Sequence, residues 1–283
     1  MQLNIMVSRH SAFYSPLIST ISGGFLAHEG LEATYSVLRE GQRSHELIRD
    51  GAVHIMQSAV SSNWKPLAQG VTPLPVHFAL INRRDGFFIA GRKPDTAFDW
   101  KALEGKTLLA DYGLQPLVML KFAAHFSGVE WTRINVVNAG APDSMQAAYL
   151  SGTGDYLHRQ APGCGLPLVS VGASMPEVAF SSLCASREFM ETAEFHSFVR
   201  AYRTAREWVR EGDPLDIAAK QASYFPGVEI GALAESIRQY QSLGCWAGEI
   251  AIPRELYEQA LNVFELAGEI KHRPSYDEVC REP

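Results

Sequence analysis

Leu3, Ile5 and Val7 alternate with polar neighbours near the start of the chain, and Ala33, Tyr35 and Val37 do so again about twenty residues later. Period two on both sides of a crossover-length gap predicts strand, helix, strand. Ser44 to Arg49 predicts a helix, stopped by Asp50-Gly51, and Ala52 to Gln57 a third strand before Ser58 to Asn63 opens another helix. This alternation favours a parallel sheet covered by helices. Two apolar runs, Val76–Ile81 and Phe87–Ala90, flank the charged turn Asn82-Arg-Arg-Asp-Gly86 and leave the first unit as strands, with Arg83, Arg84 and Asp85 read as an exposed connecting turn.

The alternation restarts at Thr107–Ala110. A helix follows, opened by Asp111 to Pro116 and running to about Ser127, then a strand at Ile134–Val137, a helix at Pro142–Leu150, and short strands at 154–158, 169–172 and 178–184. Phe195, Phe198, Val199, Tyr202, Ala205 and Trp208 form one apolar stripe on a helix from about Thr192 to Arg210. Three further helices follow, starting at Asp213-Pro214, marked by Leu233, Ile237 and Tyr240, and spanning Pro253 to Ala267. The fold class is therefore α/β, two units in series with a helical C-terminal region.

Bulk properties narrow the function. At 283 residues, 46% hydrophobic and 20% charged, the chain is globular. A net charge of −6 without a dense Lys/Arg cluster argues against a nucleic-acid partner, and no apolar run is long enough for a membrane-spanning helix. The first ten residues lack a basic region followed by an apolar core, so they are not a secretory signal; the protein is cytoplasmic, or it begins after a removed signal with Met1 in its place. Cys164, Cys184, Cys245 and Cys280 lie far apart, read as free thiols rather than a zinc site, and no cofactor fingerprint occurs.

Gly24-Phe-Leu-Ala-His-Glu-Gly-Leu-Glu32 resembles a segment of the type II substrate-binding proteins of the nitrate, sulfonate and thiamine-pyrimidine class. Leu47–Ile55 is similar to that family's helix-to-strand step, with His54 where an aspartate is usual. Trp100–Leu108 resembles the opening of its second lobe, Ala148–Tyr156 a later helix-to-strand step, and Ala185–Phe189 the return to the first lobe. Five pieces in order cover most of residues 3–210. The resemblance implies the two-lobe type II periplasmic-binding-protein fold with a central ligand cleft and hinge closure. Lobe 1 is expected over 1–86 and 182–283, lobe 2 over 87–181. It also implies a small-molecule ligand, a heteroaromatic compound or organic anion, and an ABC-transporter permease as partner.

Ligands of open α/β sheets lie at the carboxyl ends of the strands. Mapped so, the first lobe offers Ser8, Arg9, His10, Phe13 and Tyr14, then Gly41-Gln42, then Gln57, Ser58 and Ala59; the second offers Asp111, Tyr112, Gly113 and Gln115, then Asn138 to Gly140, then His158 and Gln160. Helix N-termini there suit an anion, and Phe13, Tyr14 and Tyr112 suit a flat ring. In the thiamine-pyrimidine branch a histidine near the position of His10 contacts the pyrimidine, so the resemblance implies ligand contact for His10. Structural alternatives stand beside each: a capping histidine, a solvated Arg9, Ser58 as an N-cap, Asp111 as a helix cap.

Enzymes share this fold as well. The cysteine-rich run of its pyrimidine-synthase branch is absent, and the loop that carries a cysteine nucleophile in a sulfinate-desulfinase branch holds His10 and Ser11 here. The leading reading is a binding protein; a cofactor-free lyase or decarboxylase using His10 or His158, or a ligand sensor, is the alternative.

Overall fold

The structure is a computed structural model and describes residues 2–283. The chain divides into two compact units: Met1–Arg83, Val178–Leu261 and Ile270–Pro283 form the first, Arg84–Glu177 and Asn262–Glu269 the second. Among the described residues there are ten strands: β1 (Gln2–Val7), β2 (Glu32–Val37), β3 (Ile55–Ser58), β4 (Val76–Asn82), β5 (Phe87–Gly91), β6 (Thr107–Leu109), β7 (Asn135–Val137), β8 (Tyr156–Gln160), β9 (Leu166–Ser170) and β10 (Ser181–Ala185). The helices used below are α1 (Ser15–Ser22), α2 (Ser44–Arg49), α3 (Leu114–Phe126), α4 (Pro142–Leu150), α5 (Ala193–Glu211), α6 (Pro214–Gln221), α7 (Ile230–Ser242) and α8 (Arg254–Leu266).

In the first unit the strand order is β2-β1-β3-β10-β4. β1 pairs parallel with β2 and β3, as their alternation predicts. Leu3, Ile5 and Val7 are fully buried while Asn4 and Met6 are half-buried, the period-two pattern made physical. The sheet is mixed rather than parallel, because β10 runs antiparallel to both β3 and β4. β4 is an edge strand, yet every residue of it is buried. Segment 245–250 and the C-terminal residues cover it: the Leu80 N–H donates to the Ile250 carbonyl (2.6 Å), and the Arg281 N–H to the His77 carbonyl (3.0 Å). Covering a flat apolar edge in this way removes an aggregation template.

The α5 stripe packs as expected. Phe195 and Phe198 meet Phe78 edge-on at 4.8 and 6.3 Å, and the Tyr202 hydroxyl donates to the Leu80 carbonyl at 3.1 Å. α6 is locked to α1 by Gln221, fully buried, whose amide accepts from Ser15 Oγ (3.0 Å) and donates to Ser19 Oγ (2.7 Å).

In the second unit the order is β7-β6-β8-β5-β9. β6 pairs parallel with β7 and β8, whereas β5 runs antiparallel to β8 and β9. Only the first half of the 169–172 segment expected as a strand belongs to β9, and the 58–63 segment is largely a 3-10 turn before the helix at Trp64–Ala68. β10 begins three residues later than expected, at Ser181, but Val178 to Phe180 stay buried with their N–H groups paired to Arg83, Leu256 and Asn82 carbonyls.

Candidate functional site

The carboxyl ends of β1, β2 and β3 form one edge of the first unit's sheet. There the Ser8 N–H and Oγ both donate to Gln57 Oε1 (3.0 and 2.9 Å), and Gln57 Nε2 donates to the Ser58 carbonyl (3.2 Å). Gln57 and Ser58 are buried and Ser8 is exposed. The Gln57 amide thus spends its acceptor tying two strand ends together.

His10 is half-buried and sits in an aromatic box. Its Nδ1 shares a 2.9 Å hydrogen bond with the Tyr35 hydroxyl, and its ring lies 4.4 Å from Phe225. Tyr35 in turn meets Tyr224 edge-on at 5.3 Å. Burial lowers the His10 pKa below the usual histidine value, the Tyr224 backbone pulling the other way, so a neutral imidazole is favoured. Burial also raises the Tyr35 pKa, with nearby Tyr14 and Tyr224 adding to it. Phe13 is fully buried between Phe180 (5.6 Å) and Tyr240 (5.0 Å), its carbonyl accepting from Trp246 Nε1, and Tyr14 is nearly as buried. Arg9 and Ala59 are half-buried, and Gly41 and Gln42 are exposed. His10, Tyr14 and Tyr35 therefore come together, while Phe13 lies within the core.

Two buried polar residues at the sheet's other strands escaped sequence reasoning. Asn82 closes β4, fully buried, with neither amide atom partnered; His77 is its second residue, its Nδ1 bonded to Ser182 Oγ at 2.8 Å and its pKa pushed down to about 3 by burial. The only local signal was a polar residue at each end of an apolar run.

The second unit's edge is built differently. After β6, Asp111 Oδ1 accepts from the Gly113 N–H (2.8 Å), and the Asp111 N–H donates to His158 Nδ1 at 3.4 Å. His158 is fully buried on β8, with the Phe87 ring stacked on it at 4.4 Å. That accepted hydrogen bond fixes the ring tautomer with the proton on Nε2. Tyr112 is 43% exposed and its hydroxyl donates to the Val136 carbonyl (3.4 Å); Gln115 is buried, and Asn138 Oδ1 accepts from the Gly140 N–H (3.0 Å). Gln160 ends β8 half-buried, with its Oε1 buried and unpartnered.

Asp85 departs most from expectation. Instead of lying in an exposed turn it is fully buried: Oδ1 accepts from the Phe87 N–H at 2.6 Å, and Oδ2 has no partner. Burial, with the Asp111 carboxyl nearby, pushes its pKa up to about 8. Gly172 backs directly onto it; a Cβ there would overlap the Asp85 carbonyl oxygen. Arg84 does stay at the surface side, paired with Glu177 at 3.0 Å.

A surface groove of about 710 Å³ lies elsewhere in the first unit among Arg187, Arg254, Tyr276 and Asp277. Within it Arg254 pairs with Asp277 at 2.6 Å. Among the described residues, no group of three or more His, Cys, Asp or Glu side chains could hold a metal ion.

The fold recurs in solved proteins. The alkanesulfonate-binding protein SsuA from Xanthomonas axonopodis pv. citri, bound to MOPS, superposes with a TM-score of 0.73 over 100% of this chain and 98% of its own, at 13% identity. A Candida albicans gene product described as having the generic periplasmic binding protein structural fold matches with a TM-score of 0.63 over 100% of this chain and 96% of its own, at 12% identity. The chain has the periplasmic-binding-protein fold. By sequence it is 24% identical over 278 residues to YtlA of Bacillus subtilis (strain 168), covering 94% of this chain and 83% of that one; the binding-protein assignment of YtlA is itself inferred. No family model matches the chain. A fold by itself does not fix a ligand.

Proposed function

We propose that this protein binds a small organic molecule as the solute-binding component of an ABC-type import system, delivering it to a membrane permease. The ligand class that the sequence favours is a heteroaromatic compound, such as a thiamine-precursor pyrimidine, or an organic anion such as a sulfonate. The observation that carries this reading is the pair of polar carboxyl edges, each built from loops that follow parallel strands and each holding buried polar atoms without protein partners: His10 Nε2 and Asn82 in the first unit, Asp85 Oδ2 and Gln160 Oε1 in the second. Such groups cost about 1–3 kcal/mol each when left unmet, and a bound ligand offsets that cost. The likeness in fold to sulfonate-binding SsuA supports the role without fixing the ligand.

Arg9, His10, Tyr14, Gln57 and Ser58 in the first unit, and Asp111, Tyr112, Gly113, Gln115, His158 and Gln160 in the second, are the proposed contacts. Phe13, being core, acts by supporting them. A thermal-shift screen of the purified protein against pyrimidines, sulfonates, aromatic carboxylates and nitrate tests the proposal. At a hundredfold excess over Kd, a ligand stabilises the folded state by about 2.7 kcal/mol. A screen without a hit counts against binding.

A second reading, a cofactor-independent lyase or decarboxylase, draws support from one feature. Asp85 is a buried carboxyl holding its proton near neutral pH, a property frequent at acid–base centres. Mass spectrometry of a hit after incubation separates the two: an unchanged ligand supports transport, a converted one the enzyme.

A further inference from the structure

We propose that residues 222–229 form an aromatic lid on the first unit's carboxyl edge: Tyr224 and Phe225 hold the face of His10 that the ligand takes when the lid lifts. This rests on the small-molecule-binding reading above and adds the contact that a ligand must displace.

The segment lies between two fixed points. Before it, fully buried Gln221 donates to the Ser15 carbonyl (3.1 Å) and to Ser19 Oγ (2.7 Å), which ties the end of α6 to α1. After it, Leu233 and Ile237, both fully buried, anchor α7 in the core. In between, Ala222–Tyr224 is a short 3-10 turn, and Gly227 turns the chain at φ +80°, a conformation glycine adopts without strain. The backbone closes on itself: the Phe225 N–H donates to the Ala222 carbonyl and the Val228 N–H to the Phe225 carbonyl, both at 3.1 Å. A segment bonded internally in this way can lift without breaking the hydrogen bonds of the sheet.

What it lays on the edge is aromatic. Ser223, Pro226, Gly227 and Glu229 are exposed, Tyr224 is half-buried, and Phe225 is buried. The Phe225 ring lies 4.4 Å from the His10 ring at 37°, and Tyr224 meets Tyr35 edge-on at 5.3 Å. Tyr35 is the residue that holds His10 Nδ1. Beneath this cover His10 Nε2 is buried and makes no hydrogen bond, although the Tyr224 backbone is close enough to favour the charged ring. Closure shields a polar atom without satisfying it, whereas a polar ligand in the place of Phe225 satisfies it.

Carbethoxylation of the full chain by diethyl pyrocarbonate near pH 7, read residue by residue by mass spectrometry, tests the lid. Burial favours the neutral, reactive imidazole at His10, and His77, fully buried in the sheet of the same unit, reports opening of the core. His10 is expected to react at least tenfold faster than His77. Phe225→Ala is expected to speed His10 about tenfold further, and Tyr224→Ala severalfold, with His77 unchanged. Equal rates for His10 and His77, or a rise shared by both in the variants, overturn the lid. Calorimetry then takes one probe from each screened class: 2-aminopyrimidine, ethanesulfonate and benzoate. Any that binds the wild type is expected to bind Phe225→Ala severalfold tighter, since no lid has to lift. Equal or weaker binding makes Phe225 a ligand wall and overturns the inference while leaving the binding function standing. No heat from any probe counts against the binding function, and the His10 rates then decide the lid by themselves.

Discussion

The two sheet edges solve the same topological problem with opposite chemistry. In the first unit the edge is knitted shut: Gln57 binds Ser8, His10 binds Tyr35, and Phe225 covers the imidazole. In the second, one oxygen of a fully buried carboxyl and a glutamine oxygen are left without partners. One edge is an aromatic wall whose polar atoms mostly serve the protein. The other keeps polar atoms in reserve, at a cost in stability that a structural role alone does not repay. Asn82 and His10 Nε2 keep the contrast from being complete.

The contrast can be broken by pH first. Asp85 has a folded-state pKa above its unfolded value, so the folded state holds the proton more tightly. Its contribution to stability is fully present below about pH 4 and is lost as pH rises to about 8, by up to roughly 5 kcal/mol over the window. Denaturant titrations from pH 4 to pH 9 should show that decline in the wild type and a much flatter profile in Asp85→Asn; parallel profiles would mean that Asp85 is ionised or solvated. Gly172→Ala is next. The added Cβ overlaps the Asp85 carbonyl, a backbone atom that cannot swing aside, so a loss of about 3 kcal/mol is expected in urea unfolding.

On the first unit's side the effects are smaller. Gln57→Ala leaves Ser8 and the β1–β3 junction without their shared acceptor, a loss of about 2 kcal/mol in the same assay. Tyr35→Phe removes only the hydroxyl that meets His10 Nδ1 and should cost about 1 kcal/mol. If Tyr35→Phe costs more than Gly172→Ala, the first edge is the strained one and the comparison reverses.

Much of this architecture was legible along the chain. The alternations at Leu3–Val7 and Ala33–Val37 form parallel neighbours in register, and the stripe from Phe195 to Ala205 is buried on one helix. Such patterns are local: a period of two or of three to four survives in any context that buries one face. The Gly24–Glu32 and Trp100–Leu108 resemblances pointed to the periplasmic-binding-protein fold, which the solved structures share. The mixed sheets were not legible, because nothing in β5 or β10 itself states which strand it will lie beside; pairing across long separations decides direction.

The site divides the same way. That Ser8 to His10, Gln57-Ser58 and Asp111 to Gly113 stand at strand ends follows from the sequence, since an apolar run stops where polar residues begin. That Phe13 is fully buried depended on Phe180 and Tyr240, residues far away in the chain. That Asp85 is buried depended on Gly172 giving its backbone room. A charged triplet between two strands reads as solvent-facing, because burying a carboxyl is costly unless its proton is kept. The sequence thus determined which residues stand at the edges, through local periodicity. Only tertiary packing decided which of them are spent holding the protein together and which are left unmet, because burial and hydrogen-bond partners come from distant segments.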